Sequence, residues 1–394
     1  MEGWVEEVRN LLPVTRRSIY MNTGTSGPVP EPALRAEAES ERYLSEAGPG
    51  SAEALRESGR RLEQVRNDLA RFLGSTPDQL AFTQNTSHGM AAVVGGMVWR
   101  PGDEVVTSEL EHASGLLPFG YLRDRLGVRV RVLRPRDGVR LTPDELREGL
   151  STRTRLICMS HVSYATGARL PVEAAAELAR AHGCRLLVDG AQAAGCLPEP
   201  LDGLGADFYA GPGQKWLMGP EGTGFLHFAP GAWAVAAPAS IAWASVEHEE
   251  SPAGPLTYRL KASARRFELA TISLALFEGL RTATQILEGM GRRTIWERVA
   301  ALTGRLKEGL AALRDVEVIT PMEAERSAGL VAFRLRGLSA PEATRLLAER
   351  YQVIGRWVPR PEAVRLSVHF FNTESEVETV LGAVGELTAG AGGS

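Results

Sequence analysis

A lysine between two glycine-rich turns is the first feature of this sequence that could carry covalent chemistry. Lys215 lies within Gly211–Trp216, and a second glycine-rich run, Gly219–Gly224, follows it closely. Glycines let the backbone approach a ligand, and a lysine that is desolvated in a pocket has a lowered pKa and can form a Schiff base. The pattern therefore predicts a reactive lysine rather than a solvated loop residue.

An aspartate at the end of an apolar run is the second such feature. Asp189 follows Leu186–Val188 and precedes small residues and Gln192. A carboxylate in this position keeps a protonated ring nitrogen charged, and pyridoxal phosphate (PLP) needs that charge to act as an electron sink. An acid and a Schiff-base lysine together indicate this cofactor, whereas Asp189 alone could also be an aspartate that caps a turn.

Hydroxyl side chains open a helix after the predicted strand that ends at Thr83. Thr86 and Ser87 stand at the start of an apolar helical pattern. A helix N-terminus with hydroxyls beside free backbone N–H groups suits a phosphate, and a plain N-cap is the alternative.

The elements that must position these residues alternate between strand and helix. Alternation of this kind predicts an α/β fold with a mostly parallel central sheet and helices on both faces. Ligands of such sheets lie at the carboxyl ends of the strands, where all three features fall. The predicted strands are Leu80–Thr83, Glu104–Thr107, Val128–Leu133, Leu156–Ser160, Arg185–Val188 and Phe208–Ala210.

Beyond Ser273 the pattern changes to long helices followed by short strands. This change predicts a smaller α+β domain after the large one. We place an N-terminal segment that packs with the small domain at residues 1–19, the large PLP-binding domain at 20–288, and the C-terminal domain at 289–394.

Composition narrows the class of protein. The 394 residues are 44% hydrophobic and 23% charged, with a net charge of −4 and scattered Lys and Arg, so no basic face argues for nucleic acid. No apolar run approaches a membrane span, the amphipathic and acid-bearing stretch Met1–Pro13 is not expected to be a signal peptide, and the histidines form no metal-binding pattern. We expect a cytoplasmic enzyme without a metal, whose three cysteines are idle thiols.

The run Val188–Gly224 resembles the core of the class V aminotransferase family, which includes cysteine desulfurases, isopenicillin N epimerase-like proteins and C–S lyases. The resemblance extends from Tyr20–Pro30 to Arg365–Val377, nearly the whole chain. It implies a fold-type-I PLP architecture and a homodimer with active sites at the subunit interface.

The resemblance also implies roles for the residues around the cofactor ring. Lys215 matches the Schiff-base lysine, Asp189 the partner of the pyridine nitrogen and Gln192 the group near the ring 3′-oxygen. His112 matches the histidine that stacks on the ring. Tyr164 stands where relatives often have Asn near the same oxygen.

Further matches concern the phosphate and the substrate. Thr86 and Ser87 match the phosphate-binding hydroxyls, Gln214 takes the place of a phosphate-contacting His, and Pro212 replaces a phosphate-binding Ser. Thr271 resembles the residue that a neighbouring subunit contributes to the phosphate.

Substrate contacts are implied in the same way. Arg365 matches the arginine that binds the substrate α-carboxylate through its planar fork. Arg356 is a candidate second anion contact, and Asn22 and Ser26 are candidate substrate contacts.

One departure bears on the reaction. Cysteine desulfurases carry a nucleophilic cysteine just before the carboxylate-binding arginine, and Gly355–Val364 contains none, so a persulfide cannot form there. We therefore expect β-elimination of the C–S lyase type from a cysteine-derived amino acid, ahead of transamination and then of epimerisation. The non-enzyme alternative is an inactive PLP-fold binding protein. A nicotinamide enzyme would need an early G-x-G-x-x-G motif, which is lacking.

Overall fold

The computed structural model describes residues 2–250 and 257–391. The helices are α1 (Glu2–Asn10), α2 (Glu31–Ala47), α3 (Ala52–Leu73), α4 (Thr86–Gly96), α5 (Ala113–Leu126), α6 (Pro143–Gly149), α7 (Val172–His182), α8 (Leu274–Met290), α9 (Arg292–Ala312), α10 (Ala340–Tyr351) and α11 (Glu374–Ala391). None of these helices is long and apolar enough to cross a bilayer.

The strands of the described residues are short. They are β1 (Ile19–Tyr20), β2 (Leu80–Thr83), β3 (Glu104–Ser108), β4 (Arg129–Leu133), β5 (Thr154–Ser160), β6 (Arg185–Asp189), β7 (Phe208–Pro212), β8 (Gly224–Phe228), β9 (Val246–Glu250), β10 (Thr257–Leu260), β11 (Val316–Val318), β12 (Leu330–Leu335), β13 (Val353–Ile354), β14 (Arg356–Pro359) and β15 (Glu362–Ser367).

A seven-stranded sheet in the order β2-β8-β7-β6-β5-β3-β4 forms the centre of the large unit. Neighbouring strands from β7 to β4 are parallel, and only β8 runs against its neighbours β7 and β2. Leu186 and Val188 of β6 pack into the apolar core on one face, while Leu187 between them packs into the core on the other. The α/β fold with a mostly parallel, two-faced sheet is thus confirmed.

Strand β8 was not predicted from the sequence. It pairs antiparallel with β7, and the connection between them carries Lys215. The glycines before Gly224 predict a turn, and for this reason the strand that begins at Gly224 was not predicted.

A second, antiparallel sheet in the order β11-β12-β15-β14 forms the smaller unit near the C-terminus. Its apolar face packs with α9, α10 and α11 around a core of its own, which includes Leu306, Phe333, Leu347, Val364 and Val380. The α+β character expected for this part of the chain is observed, and β13 and β14 were missed.

The N-terminal segment contacts residues near the other end of the chain. Strand β1 pairs in parallel with β13, and Trp4 stacks on Phe370 with 6.2 Å between ring centroids. Arg9 donates to the Phe371 carbonyl oxygen at 2.8 Å and forms an ion pair with Glu376. The domain limits at 19 and 288 stay predictions, and residues 392–394 of the last domain lie outside the described residues.

Candidate functional site

The carboxyl ends of three parallel strands meet at one cavity. Ser160 at the end of β5 is in register with Asp189 at the end of β6, and Asp189 is in register with Ala210 of β7. The cavity is lined by Gly24, Thr25, Asn85, Thr86, Ser87, His112, Ser114, Ser160, Val162, Tyr164, Asp189, Ala191, Gln192, Pro212, Gln214, Lys215, Arg356 and Arg365.

Asp189 is buried at the floor of this cavity. Its Oδ1 accepts a hydrogen bond from the Ala191 backbone N–H at 2.8 Å, and burial raises the pKa of its carboxyl group. Among the described residues, no Lys, Arg or His side chain forms an ion pair with Asp189, since none has a nitrogen within 4.0 Å of its carboxylate oxygens. A Cβ on Gly190 would lie 1.9 Å from the Tyr209 ring, so only glycine lets this turn pack directly on that ring.

Lys215 faces the same cavity from the β7–β8 connection. Burial lowers the pKa of its amine to about 8, and the opposing charge of Asp189 only partly offsets this effect. The backbone around it is held by the N-terminal loop, because the Gly27 N–H donates to the Gln214 carbonyl oxygen at 2.6 Å. A Cβ on Gly27 would lie 2.1 Å from the Lys215 carbonyl oxygen, so this approach requires glycine.

The side chain of Gln192 joins the N-terminal loop to the segment that carries Lys215. Its Nε2 donates to the Gly24 carbonyl oxygen at 2.8 Å, and its Oε1 accepts from the Trp216 indole N–H at 3.0 Å. Gln192 lines the cavity, yet both atoms of its amide already have protein partners. It therefore fixes the N-terminal loop relative to Trp216, the residue directly after Lys215.

The N-terminus of α4 forms one end of the cavity. Asn85 is its N-cap and accepts from the His88 N–H at 2.9 Å, while Thr86 and Ser87 follow in the first turn. The Ser87 hydroxyl donates to Ser114 Oγ at 2.7 Å. Hydroxyls and free N–H groups at the positive end of a helix suit a phosphate.

Gln214 and Pro212 line the same cavity. The Gln214 Oε1 is buried without a hydrogen-bond partner. Pro212 contributes no hydroxyl, so the donors to an anion here come from α4 and its neighbours.

His112 and Tyr164 form an aromatic wall. Their rings meet edge to face with 5.2 Å between centroids. His112 is the N-cap of α5 and its Nδ1 accepts from the Ser114 N–H at 3.2 Å. Burial and the nearby charge of Lys215 lower the pKa of His112, which favours the neutral form of its imidazole.

Arg365 is almost completely buried on the small-unit side of the cavity. Its Nη1 donates to the Tyr164 carbonyl oxygen at 2.9 Å and its Nη2 to the Thr25 hydroxyl at 2.9 Å. Arg356 lies directly opposite on β14 and also faces the cavity. Two guanidinium groups therefore border the space above Lys215.

Three of the predicted site residues do not line this cavity. Thr271 lines a neighbouring cavity together with His88 and Leu276. Asn22 pairs through its backbone with Ser367, and Ser26 lies 3.5 Å from a Glu221 carboxylate oxygen. Their roles, and those of the residues that do line the cavity, stay predictions.

Sequence reasoning missed Thr25 and Glu111. Thr25 lies between the two residues that were chosen from the N-terminal loop. Glu111 is buried behind the cavity, where it accepts from Ser108 at 2.9 Å and from Ser160 at 2.5 Å, and burial raises the pKa of its carboxyl to about 8. The sequence feature that could have indicated Glu111 is its position directly before His112.

A buried acid without a basic partner fits a protonated pyridine nitrogen, and the hydroxyl-bearing helix end fits a phosphate. Together with an amine of lowered pKa that lines the same cavity in a fold-type-I architecture, these features define a PLP-dependent enzyme.

Comparison with known proteins narrows this class to a family. The family model "Aminotransferase class-V" matches residues 19–380. A probable cysteine desulfurase of Methanothermobacter thermautotrophicus is 29% identical over 402 residues, which cover 98% of both chains. Isopenicillin N epimerase of Streptomyces clavuligerus is 32% identical over 393 residues, covering 97% of this chain and 98% of the relative. The chain belongs to the class V aminotransferase family.

Solved structures of similar fold include those of C-DES. A variant of C-DES with glycine covalently linked to its PLP cofactor has a TM-score of 0.90 at 27% identity, over 96% of this chain and 99% of that one. The cystine C–S lyase C-DES in complex with its reaction product, cysteine persulfide, has a TM-score of 0.89 at 27% identity, over 95% and 99% of the chains.

Proposed function

We propose that this protein is a C–S lyase that removes a sulfur leaving group from a cysteine-derived amino acid by β-elimination. The observation that carries the proposal is a cavity that combines Lys215, Asp189 and Arg365 without a cysteine. Cys158, Cys184 and Cys196 are all buried, and burial raises the pKa of each thiol. The site thus has groups for proton abstraction and carboxylate binding but no thiol to accept sulfur.

The residues around the cavity suit PLP in a definite orientation. Lys215 is the residue that we propose forms the Schiff base. Asp189 would hold the proton on the ring nitrogen, and Thr86, Ser87 and Gln214 would border the phosphate. When bound, PLP supplies a ring that withdraws the negative charge left at the substrate Cα.

The chain's own residues then have separate tasks. Arg365 binds the substrate α-carboxylate through two parallel N–H donors. The Lys215 amine, whose pKa of about 8 lies near neutrality, removes the α-proton as a general base. The neutral His112 provides a flat face without adding a positive charge that would oppose the ring proton.

The similarity to C-DES supports elimination in particular, because that neighbour is a cystine C–S lyase. A specific observation also favours epimerisation, since the isopenicillin N epimerase is a relative at 32% identity over nearly the whole chain. Transamination is the third reaction that the family suggests, beside elimination and epimerisation. All three reactions begin with loss of the α-proton, so the fold does not select among them.

The test is a parallel assay of the purified, PLP-supplied protein on cysteine S-conjugates and other amino acids. We expect release of pyruvate, ammonia and a thiol, and no release by Lys215→Ala. Loss of optical activity without pyruvate would instead establish epimerisation, and transfer of the amino group to a keto acid would establish transamination. Either result would overturn the lyase proposal.

We also propose a homodimer in the cytoplasm. Leu117 and Tyr121, one turn apart on α5, are 70% and 60% exposed, and exposed apolar side chains on one helix face favour a covered surface. In this dimer the partner subunit would contribute Thr271 to the phosphate.

Three unpaired thiols support the proposed cytoplasmic location, because they favour a reducing compartment.

A further inference from the structure

Two guanidinium groups at the cavity have no acidic partner. Arg356 on β14 and Arg365 on β15 are directly opposite each other in the antiparallel pair, and both line the cavity. In the described part of the chain, neither forms an ion pair with an Asp or Glu carboxylate within 4.0 Å, although most other arginines do.

The two groups converge on one hydroxyl. The Thr25 Oγ1 accepts from Arg365 Nη2 at 2.9 Å and lies 3.5 Å from Arg356 Nη1. A hydroxyl that accepts from two cations has its own proton free to donate, so Thr25 adds a third donor beside the pair. The buried Arg365 Nε–H has no acceptor.

This arrangement opposes folding unless an anion compensates it. Arg365 is 2% exposed, and burial, reinforced by the charge of Arg356, lowers the pKa of Arg365 to about 10. Like charges that face each other across two strands repel. A buried cation without a partner costs stability, and a ligand of opposite charge recovers that cost.

One carboxylate is too small a countercharge for the pair. A carboxylate occupies one guanidinium fork through two hydrogen bonds, and the α-carboxylate of an amino acid would occupy Arg365. Arg356 would remain cationic beside it. Because Arg356 is exposed whereas Arg365 is buried, a second anion bound by Arg356 would lie on the solvent side of the α-carboxylate.

We propose that the substrates are amino acids that bear a second anionic group on the sulfur substituent, with Arg365 binding the α-carboxylate and Arg356 binding the distal anion. This inference rests on the proposed function, because the sulfur substituent is the leaving group of the proposed C–S lyase reaction. It assigns to Arg356 the discrimination between anionic and neutral leaving groups.

The experiment uses a pair of compounds that differ in charge but hardly in shape. S-carboxymethyl-L-cysteine ends in a carboxylate, and S-carbamoylmethyl-L-cysteine ends in a neutral amide. Binding is measured by titrating the PLP-loaded protein and following its visible absorption, and pyruvate release is measured separately. We expect the anionic compound to bind about tenfold more tightly, as a charge-assisted hydrogen bond allows.

Variants then assign the preference to one side chain. Arg356→Gln is expected to reduce the ratio of the two dissociation constants to about one, and Arg356→Lys to retain part of it. Arg360→Gln is the matched control, because it removes the same charge from an exposed position of the same hairpin outside the cavity, and it should retain the full ratio. Thermal unfolding of each variant checks that the fold is intact.

Two results would overturn the inference. One is equal binding of the two compounds by the unmodified protein. The other is an Arg356→Gln variant that binds both compounds more weakly by the same factor, which would mean that both arginines share the α-carboxylate. Preference for the anionic compound without pyruvate would contradict only the lyase reaction, and pyruvate without preference would contradict only the role of Arg356.

Discussion

At the scale of single residues, burial prepares the ionisable groups for their proposed roles. It lowers the pKa of Lys215 to about 8 and of Arg365 to about 10, and it raises the pKa of Asp189. The two anchors, Lys215 and Asp189, were identifiable from the sequence because each follows a predicted strand and has small neighbours. Thr25 was not, because its contact with Arg365 joins residues 340 positions apart.

The lowered pKa of Lys215 predicts how the cofactor-free protein captures PLP. The neutral amine is the nucleophile, and its fraction increases about tenfold per pH unit up to the pKa. Capture followed by stopped-flow absorbance should therefore accelerate up to about pH 8 and level off above it. A rate that keeps rising to pH 10 would indicate an ordinary lysine, and Lys215→Ala should show no capture.

Replacement of Asp189 tests the charge at the cavity floor. Asp189→Asn keeps the shape of the side chain and removes its charge, so the ring proton would lose its partner. We expect turnover to fall about 100-fold or more, the loss that is typical when one preorganised electrostatic group is removed. Near-normal turnover in a PLP-saturated variant would remove Asp189 from the mechanism.

At the scale of elements, hydrophobic patterning predicted the buried parallel strands and the long helices. Gly48, which ends α2 before α3 begins at Ala52, has a positive φ of 77°. The pattern could not show β1, β13 and β14, because strands of two to four residues with mixed burial carry too few residues for a period. These missed strands border the arginine side of the cavity.

A buried ion pair fixes the segment that leads to Thr271. Arg66 of α3 donates to Glu268 at 2.7 Å, and Glu268 also accepts from the Phe82 N–H of β2 at 2.8 Å. Glu268→Ala should lower the free energy of unfolding by about 3 kcal/mol, because it leaves the buried Arg66 charge with only the partly exposed Glu63 carboxylate, 3.6 Å away, as an acidic partner. Chemical denaturation measures the change.

The control for this prediction removes both charges. The double variant Arg66→Met with Glu268→Leu should be more stable than Glu268→Ala, since apolar pairs of similar volume often replace buried ion pairs at little cost. Equal destabilisation would mean that the hydrogen bond to Phe82, rather than the uncompensated charge, accounts for the loss.

At the scale of the whole molecule, the cavity around Lys215 is built from both units of the chain. In the proposed dimer, residues of two chains would form it. Large-unit residues such as Lys215 face small-unit residues such as Arg365 across the same space. Sequence patterns predict each unit separately, but the distance between them depends on packing that has no local signal. The resemblance to the class V aminotransferase family, and not the hydrophobic period, predicted that Lys215 and Arg365 belong to one site.

Complementation between inactive subunits tests the shared site. Subunits with Lys215→Ala lack the amine, and subunits with Thr271→Asp would place a negative charge beside the partner's phosphate. If Thr271 acts across the interface, mixed dimers regain one intact site, and activity should rise toward half that of the unmodified protein. Co-expressed, differently tagged chains allow the mixed dimers to be isolated at twice the mass of the 394-residue chain.

Absence of recovery in isolated mixed dimers would place Thr271 within its own subunit's site. Sedimentation as a single chain would contradict the dimer itself. The control is a mixture of Lys215→Ala with Asp189→Asn, which should not recover, since each change disables the cavity of the subunit that carries it and no intact cavity is left.

The pairing of β1 with β13 has a consequence for biosynthesis. Ile19 pairs with Val353, so β1 is synthesised more than 300 residues before its partner strand. The central sheet, whose strands end at Phe228, can form earlier, but the arginine side of the cavity cannot assemble until β13, β14 and β15 have also been synthesised. Truncated translation products should therefore contain a folded sheet that is unable to bind substrate.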